Sequence, residues 1–314
     1  MTTFILRRLL AGVVLIFIVT ALTFLLIYAG GNDIAFSILG ESATPEAAAA
    51  LSTQLGLDRP IFVQYWDWLT SALTGDLGTS FFGPASVATT LGIRIPVTLS
   101  LVAVSIVLTA VLGVILGVAS ARRGGWVDRV TQVISVVGFA LPSYWLALVL
   151  VLTIALPMPW LFPATGYVAP TVSVGAWLMS IALPAIALTI GGVATIAQQV
   201  RGSMIDTMRL DFVRTLRSRG IPERNIVYRH ALRSSAGPAL TVLSLQFIGM
   251  LGGAIIIERV FALPGIGSLA ATASLRGDIP VVMGVVAFSV FVVVVVNLLV
   301  DITQGILNPK VRTA

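Results

Sequence analysis

The sequence predicts an all-α integral membrane protein with six transmembrane helices, and three observations carry that prediction. Hydrophobic residues make up 57% of the chain and charged residues 10%, with a mean hydropathy of +1.03. Soluble domains carry about 25% charged residues, so lipid must solvate much of this surface. Six stretches reach the roughly 20 mainly apolar residues that a spanning helix needs. The basic residues, finally, cluster in short segments between those stretches, which is how membrane topology distributes them.

The first stretch runs from about Leu9 to Ala29, directly after Arg7 and Arg8. Its length exceeds the 7–15 apolar residues of a signal peptide and it shows no small-residue cleavage site, so it is expected to be an uncleaved span. The others lie at about Val97 to Ala119, Val130 to Leu156, Ala176 to Ala197, Pro238 to Ile257 and Val281 to Ile302. Pro184 and several glycines interrupt the fourth and fifth, which membrane helices tolerate. With the N-terminus in the cytoplasm, 15 of the 19 basic residues fall inside and only Arg59, Arg94, Arg259 and Arg276 fall outside. Both termini are therefore expected to be cytoplasmic.

This gives three parts. Residues 1–29 are a cytoplasmic N-terminus and first span. Residues 30–96 are an extracytoplasmic segment, and residues 97–314 are a core of five spans with a cytoplasmic loop at 201–237. The outer segment carries Asp33, Glu41, Glu46, Asp58, Asp67 and Asp76. It also holds Phe62, Tyr65, Trp66 and Trp68, placed to anchor an interfacial helix on the headgroups. A second outer segment, Glu258 to Pro280, has turn-favouring Pro264, Gly265 and Gly267.

Several functions are excluded at this stage. The chain has no cysteine and a single histidine, His230, so neither a disulfide framework nor a thiolate or His-cluster metal site is expected. Its net charge of +6 follows from topology and gives no reason to invoke nucleic acid. No G-x-x-x-x-G-K-[ST] occurs and the only lysine is Lys310, so the chain holds no P-loop. Neither H-E-x-x-H nor a G-x-S-x-G elbow is present. Charge is scarce within the spans, which disfavours a self-sufficient ion-coupled transporter. Among the polar residues inside them, Gln246 is the candidate for a translocation path. Asn297 and Asp301 share a face near the end of the sixth span and suit interhelical hydrogen bonding.

The loop between the fourth and fifth spans is the most informative segment. Ile205, Met208, Phe212 and Leu216 recur at helical spacing, with Arg209, Arg214, Arg217 and Arg219 off that face. Gly220 suits the left-handed position that ends a helix, and Pro222 and Glu223 suit the first turn of the next. Two short helices joined at a glycine turn are predicted. Such a basic amphipathic helix can lie on lipid or fill a groove in a protein.

The stretch from Asp211, DFVRTLRSRGIPERNIVYRHALRSSAGP, resembles the coupling segment of ABC importer permeases of the peptide, opine and nickel class. The likeness rests on Arg214 and Thr215, Gly220, Glu223 and Arg224, and Arg229 through Arg233. Where the general pattern has Glu-Ala-Ala, this chain has Arg214, Thr215 and Leu216, a departure usual in that class; Pro222 replaces the usual capping Ser. Residues 55–81, 258–282 and 297–312 are similar to three further signatures of the family, in the same order.

The resemblance implies a type I ABC importer permease architecture with a cytoplasmic coupling helix. It implies no catalytic residue and no cofactor in this chain. The implied partners are a second homologous permease, two ATPase subunits and an extracytoplasmic substrate-binding protein, all at the cell membrane. Phe212, Arg214, Leu216, Gly220 and Glu223 are the implied ATPase contact. Di- or oligopeptides are the expected cargo, with nickel or another metal chelate, or glutathione, as the alternative.

Overall fold

The computed structural model describes residues 2–29, 34–40 and 43–307. Asp33, Glu41 and the C-terminal Lys310 and Arg312 lie outside the described residues. Among the described residues the only β pairing is an isolated bridge between Thr79 and Ser86. The helices are α1 (Thr2–Ala29), α2 (Ile34–Leu39), α3 (Pro45–Leu55), α4 (Ile61–Leu73), α5 (Val87–Arg123), α6 (Gly125–Ala140) and α7 (Ser143–Leu150). They continue as α8 (Val174–Met208), α9 (Asp211–Ser218), α10 (Glu223–Asn225), α11 (Leu232–Val260), α12 (Ile266–Arg276) and α13 (Ile279–Leu307). A π-helical turn, Val151–Ala155, extends α7, and another, Ile226–Ala231, joins α10 to α11.

Among the described residues five helical stretches are by themselves long and apolar enough to cross a membrane: Ile5–Tyr28, Val87–Arg123, Val174–Met208, Glu223–Val260 and Ile279–Ile306. The third predicted span differs from expectation. It is no straight helix but a pair, Gly125–Ala140 and Ser143–Ala155, bent by 94°. The break sits at Leu141 and Pro142. Proline disfavours the helical conformation of the residue before it, and Leu141 is extended at φ −84°, ψ 116°. By contrast Pro96, Pro184 and Pro238 lie inside continuous helices, so the second span begins ten residues before the predicted Val97.

The chain forms two compact units. One is built on Thr98–Leu263, with Val296–Leu307. Its helices pack closely through small residues. Gly113 and Gly117 of α5 form a G-x-x-x-G against α8, where a Cβ on Gly117 would lie 2.7 Å from the Ala197 carbonyl oxygen and 2.8 Å from Val200 Cβ. Such contacts are the main source of helix association in lipid, where the hydrophobic effect no longer drives it. Polar ties supplement the packing. Thr207 and Ser235 share a 3.0 Å hydrogen bond, and Ser235 donates to the Ser203 carbonyl at 3.2 Å. Arg201 of α8 grips both carboxylate oxygens of Asp128 on α6, which also accepts from Ser120 and, at 2.9 Å, from Gln132. Toward the end of α13, Gln304 donates to Thr241 Oγ1 at 2.9 Å.

The other unit comprises Ile5–Val97 and Pro264–Val295. Thr44 caps α3 by accepting from the Ala47 N–H, and Gly56 ends it at φ 69°. Helix α4 is amphipathic. Tyr65 turns inward among Phe24, Ile279 and Met283, its hydroxyl 2.9 Å from Thr20 Oγ1. Phe62, Trp66 and Leu73 face outward and are well exposed. In the same unit Asp278, almost fully buried, accepts from the Ser80 hydroxyl and the Phe81 N–H.

Candidate functional site

The basic segment between α8 and α11 folds around a reset of helical phase. Helix α8 ends at Met208, and Leu210, extended at ψ 150°, starts α9 afresh at Asp211. The apolar stripe predicted from Ile205 through Leu216 is therefore split. Ile205 and Met208 belong to the long helix, where Met208 packs against the buried cluster that includes Val200, Met204 and Val227. Phe212 and Leu216 belong to the short one. The side chain that α9 buries is Val213, with no exposed surface, while Phe212 is 38% exposed. Once α9 begins a new phase at Asp211, Val213 becomes its inward position, which an unbroken 205–216 periodicity conceals.

The turn after α9 matches the sequence reading closely. Gly220 adopts φ +73°. Its N–H donates to the Arg217 carbonyl at 2.9 Å, and the Ile221 N–H reaches back to the Leu216 carbonyl at 3.2 Å. This is the Schellman arrangement, which satisfies the last carbonyls of a helix and needs a left-handed residue. Pro222 caps the next helix through its carbonyl, which accepts from Asn225 at 2.8 Å and Ile226 at 3.1 Å. The second predicted short helix does not stand alone. It runs through the π-helical turn, where Ile226, Val227 and Ala231 are buried, into α11 without a break.

The charged residues divide into two groups. Arg214 is 78% exposed, with only a loose 3.6 Å contact to Asp211. Glu223 is bound within the chain: its carboxylate accepts two hydrogen bonds from Arg217, at 2.7 and 3.1 Å, across the Gly220 turn. The carboxylate raises the Arg217 guanidinium above its ordinary value, so the arginine stays charged at any working pH. Both side chains are about half exposed, which limits the pair to about 1 kcal/mol or less. Its effect is to brace the turn. What the loop presents is an aromatic and an arginine on a short helix whose buried residue is Val213 and which packs against the π-helical turn Ile226–Ala231.

Gln246 lies elsewhere, on a cleft of about 340 Å³ between the bent α6–α7 pair, α8 and α11. Phe139, Leu188 and Met250 supply apolar wall, and Ser143, Thr195 and Gln246 supply the polar groups. Among the described residues no group of three or more His, Cys, Asp or Glu is placed to hold a metal ion.

Comparisons with known proteins place this architecture. Residues 111–313 match the family of binding-protein-dependent transport system inner membrane components, and residues 1–102 match the N-terminal family of the same membrane components. A Brucella abortus protein named as a peptide transport system permease is 38% identical over 313 residues, covering 99% of both chains. A glutathione transport system permease of Salmonella choleraesuis is 33% identical over the same length, again covering 99% of each. A solved structure of the MetNI methionine ABC transporter, inward facing, aligns with a TM-score of 0.56 at 17% identity, covering 70% of this chain and 97% of the other. Components of this family work in the inner membrane with ATPase and substrate-binding partners. The chain belongs to the binding-protein-dependent transport system inner membrane components: it is the multi-pass, non-catalytic permease subunit of an ABC importer.

Proposed function

We propose that this permease forms one half of a path for di- or oligopeptides, paired with a second, homologous permease and served by two ATPase subunits. Both termini lie in the cytoplasm, by the excess of basic residues on that side. Residues 30–96 lie outside, with α4 resting on the headgroups through Phe62 and Trp66, and 97–314 form the core. The names of the full-length relatives support the peptide reading, and the uncharged lining of the cleft around Gln246 is consistent with it.

The observation that carries the mechanism is the mounting of α9. Val213 is buried and α9 packs against the π-helical turn that leads into α11, while Phe212 and Arg214 project from it. Phe212 and Leu216 fill an apolar groove on the ATPase, and Arg214 fixes the register. Gly220 and the Glu223–Arg217 brace set the angle at which the helix is offered. ATP can drive the path from one arrangement to the other only through its differential affinity for the two, and α9 is where that difference is delivered. Gln246 lines the path itself.

The test is purification of the tagged chain from its native host in mild detergent, followed by reconstitution. An ATPase and a second permease should co-purify, and the complex should import peptide only with ATP and the binding protein. Transport without ATP would overturn the reading. Import of a nickel chelate in place of peptide would keep the mechanism and replace the cargo.

A further inference from the structure

The cleft that Gln246 lines has a chemistry that the helix packing does not account for. Two of its glycines, Gly192 and Gly253, are packing residues: a Cβ there would lie 3.0 Å from Thr109 and Met250, or from Leu188. Gly191 and Gly249 are different. A Cβ on Gly249 would meet nothing within 4 Å, and one on Gly191 only the Gly138 carbonyl at 3.8 Å. Neither has the positive φ that would require glycine. An interior helical glycine costs about 1 kcal/mol relative to alanine, and packing does not offset that at these two positions. Both open onto the cleft.

The polar groups there are also uncommitted. Gln246 is half-buried, yet its carboxamide makes no hydrogen bond among the described residues. Thr195 spends its one donor on the Gly191 carbonyl, at 2.9 Å, and keeps its acceptor capacity. Among the described residues no ionisable side chain lines the cleft. A carboxamide offers two donors and an acceptor at once, the complement of a peptide unit whatever side chain that unit carries. A conducting path needs contacts strong enough to admit a ligand and weak enough to release it. Neutral hydrogen bonds meet that condition better than a fixed charge, which would hold a zwitterion by one end.

We propose that this cleft is the chain's contact with the main chain of the passing peptide. In it Gln246 pairs with an amide unit, Thr195 accepts a second N–H, and Gly191 and Gly249 leave the room for that unit to lie against the helices. This inference rests on the peptide reading above.

The experiment uses the complete reconstituted complex with its binding protein and labelled tri-alanine as the probe, beside the same peptide N-methylated at its central amide. Gln246→Leu keeps the volume and removes the hydrogen bonds, and it should slow tri-alanine import about three- to tenfold. The ratio of wild-type to variant rate should be smaller for the N-methylated peptide. Gly249→Leu should lower import while the binding protein still stimulates ATP hydrolysis, a combination that damaged folding would not produce. Wild-type complex that carries no tri-alanine would overturn the peptide reading, and this inference with it. Wild-type complex that carries tri-alanine at a rate unchanged by Gln246→Leu would overturn this inference alone.

Discussion

Replacing Gly220 by valine isolates the turn that sets α9. The residue sits at φ +73°, and a Cβ built on it meets nothing within 4 Å. No clash arises, so the whole effect lies in the backbone. A left-handed residue with a Cβ costs about 1–2 kcal/mol, and a β-branched residue falls at the upper end or above. Asparagine tolerates the conformation better than alanine does. The Arg217–Glu223 pair bridges the same turn but is half exposed, so it offsets no more than about 1 kcal/mol. A deficit of 1–2 kcal/mol lowers the ratio of native to opened turn about 5- to 30-fold. The spanning helices are held by contacts elsewhere and should insert normally. In the assembled complex, substrate-stimulated ATP hydrolysis should therefore decline in the order Gly220, Asn, Ala, Val, with valine near basal. Expression and co-purification of the ATPase from detergent extracts control for insertion. Full stimulation in Gly220→Val would refute the idea that this turn presents the coupling helix.

Five further substitutions separate structure from coupling. Phe212→Ala removes an exposed ring, so the thermal midpoint of the complex should stay within about 2 °C of wild type while stimulated hydrolysis falls several-fold; Val213→Asp, which buries a charge, should lower both. Asp128→Asn weakens the grip of Arg201 and should reduce stability by about 1–2 kcal/mol, since hydrogen bonds to charged groups are worth about 1.5–3 and this pair is about one-fifth exposed; an unchanged midpoint would show that the tie is dispensable. Gly117→Leu drives side chain into the Ala197 carbonyl and should abolish folded yield, whereas Gly252→Ala meets open space and should be neutral or slightly stabilising, both read from monodisperse yield on size exclusion.

What could be read from the sequence follows from the range of the forces involved. The spans were legible because a run of about 20 apolar residues is a local property, and so was the Gly220 turn, whose Schellman bonds reach only five residues back. The amphipathic α4 was equally visible in its aromatics. The bend at Leu141 and Pro142 was missed because apolar residues continue on both sides of it, and Pro96, Pro184 and Pro238 show that proline alone does not break a span here. The inward role of Val213 was hidden because a two-residue break after Met208 shifts the helical phase. Arg217 looked like one more solvated arginine until the turn brought Glu223 beside it. The cleft around Gln246 is assembled from helices distant in sequence, and nothing local marks Gly249 as open and Gly253 as packed.

The absence of cysteine throughout the chain makes a direct test of coupling available. A single cysteine at Phe212, in the complete complex, provides one defined attachment point on this subunit. A short bifunctional crosslinker should join it to the ATPase, with a yield that changes when ATP is added, while a cysteine at Leu10, exposed on α1, should give no such product. Crosslinking from position 212 only to lipid, or with a yield indifferent to ATP, would contradict the claim that α9 is where ATP hydrolysis reaches the path.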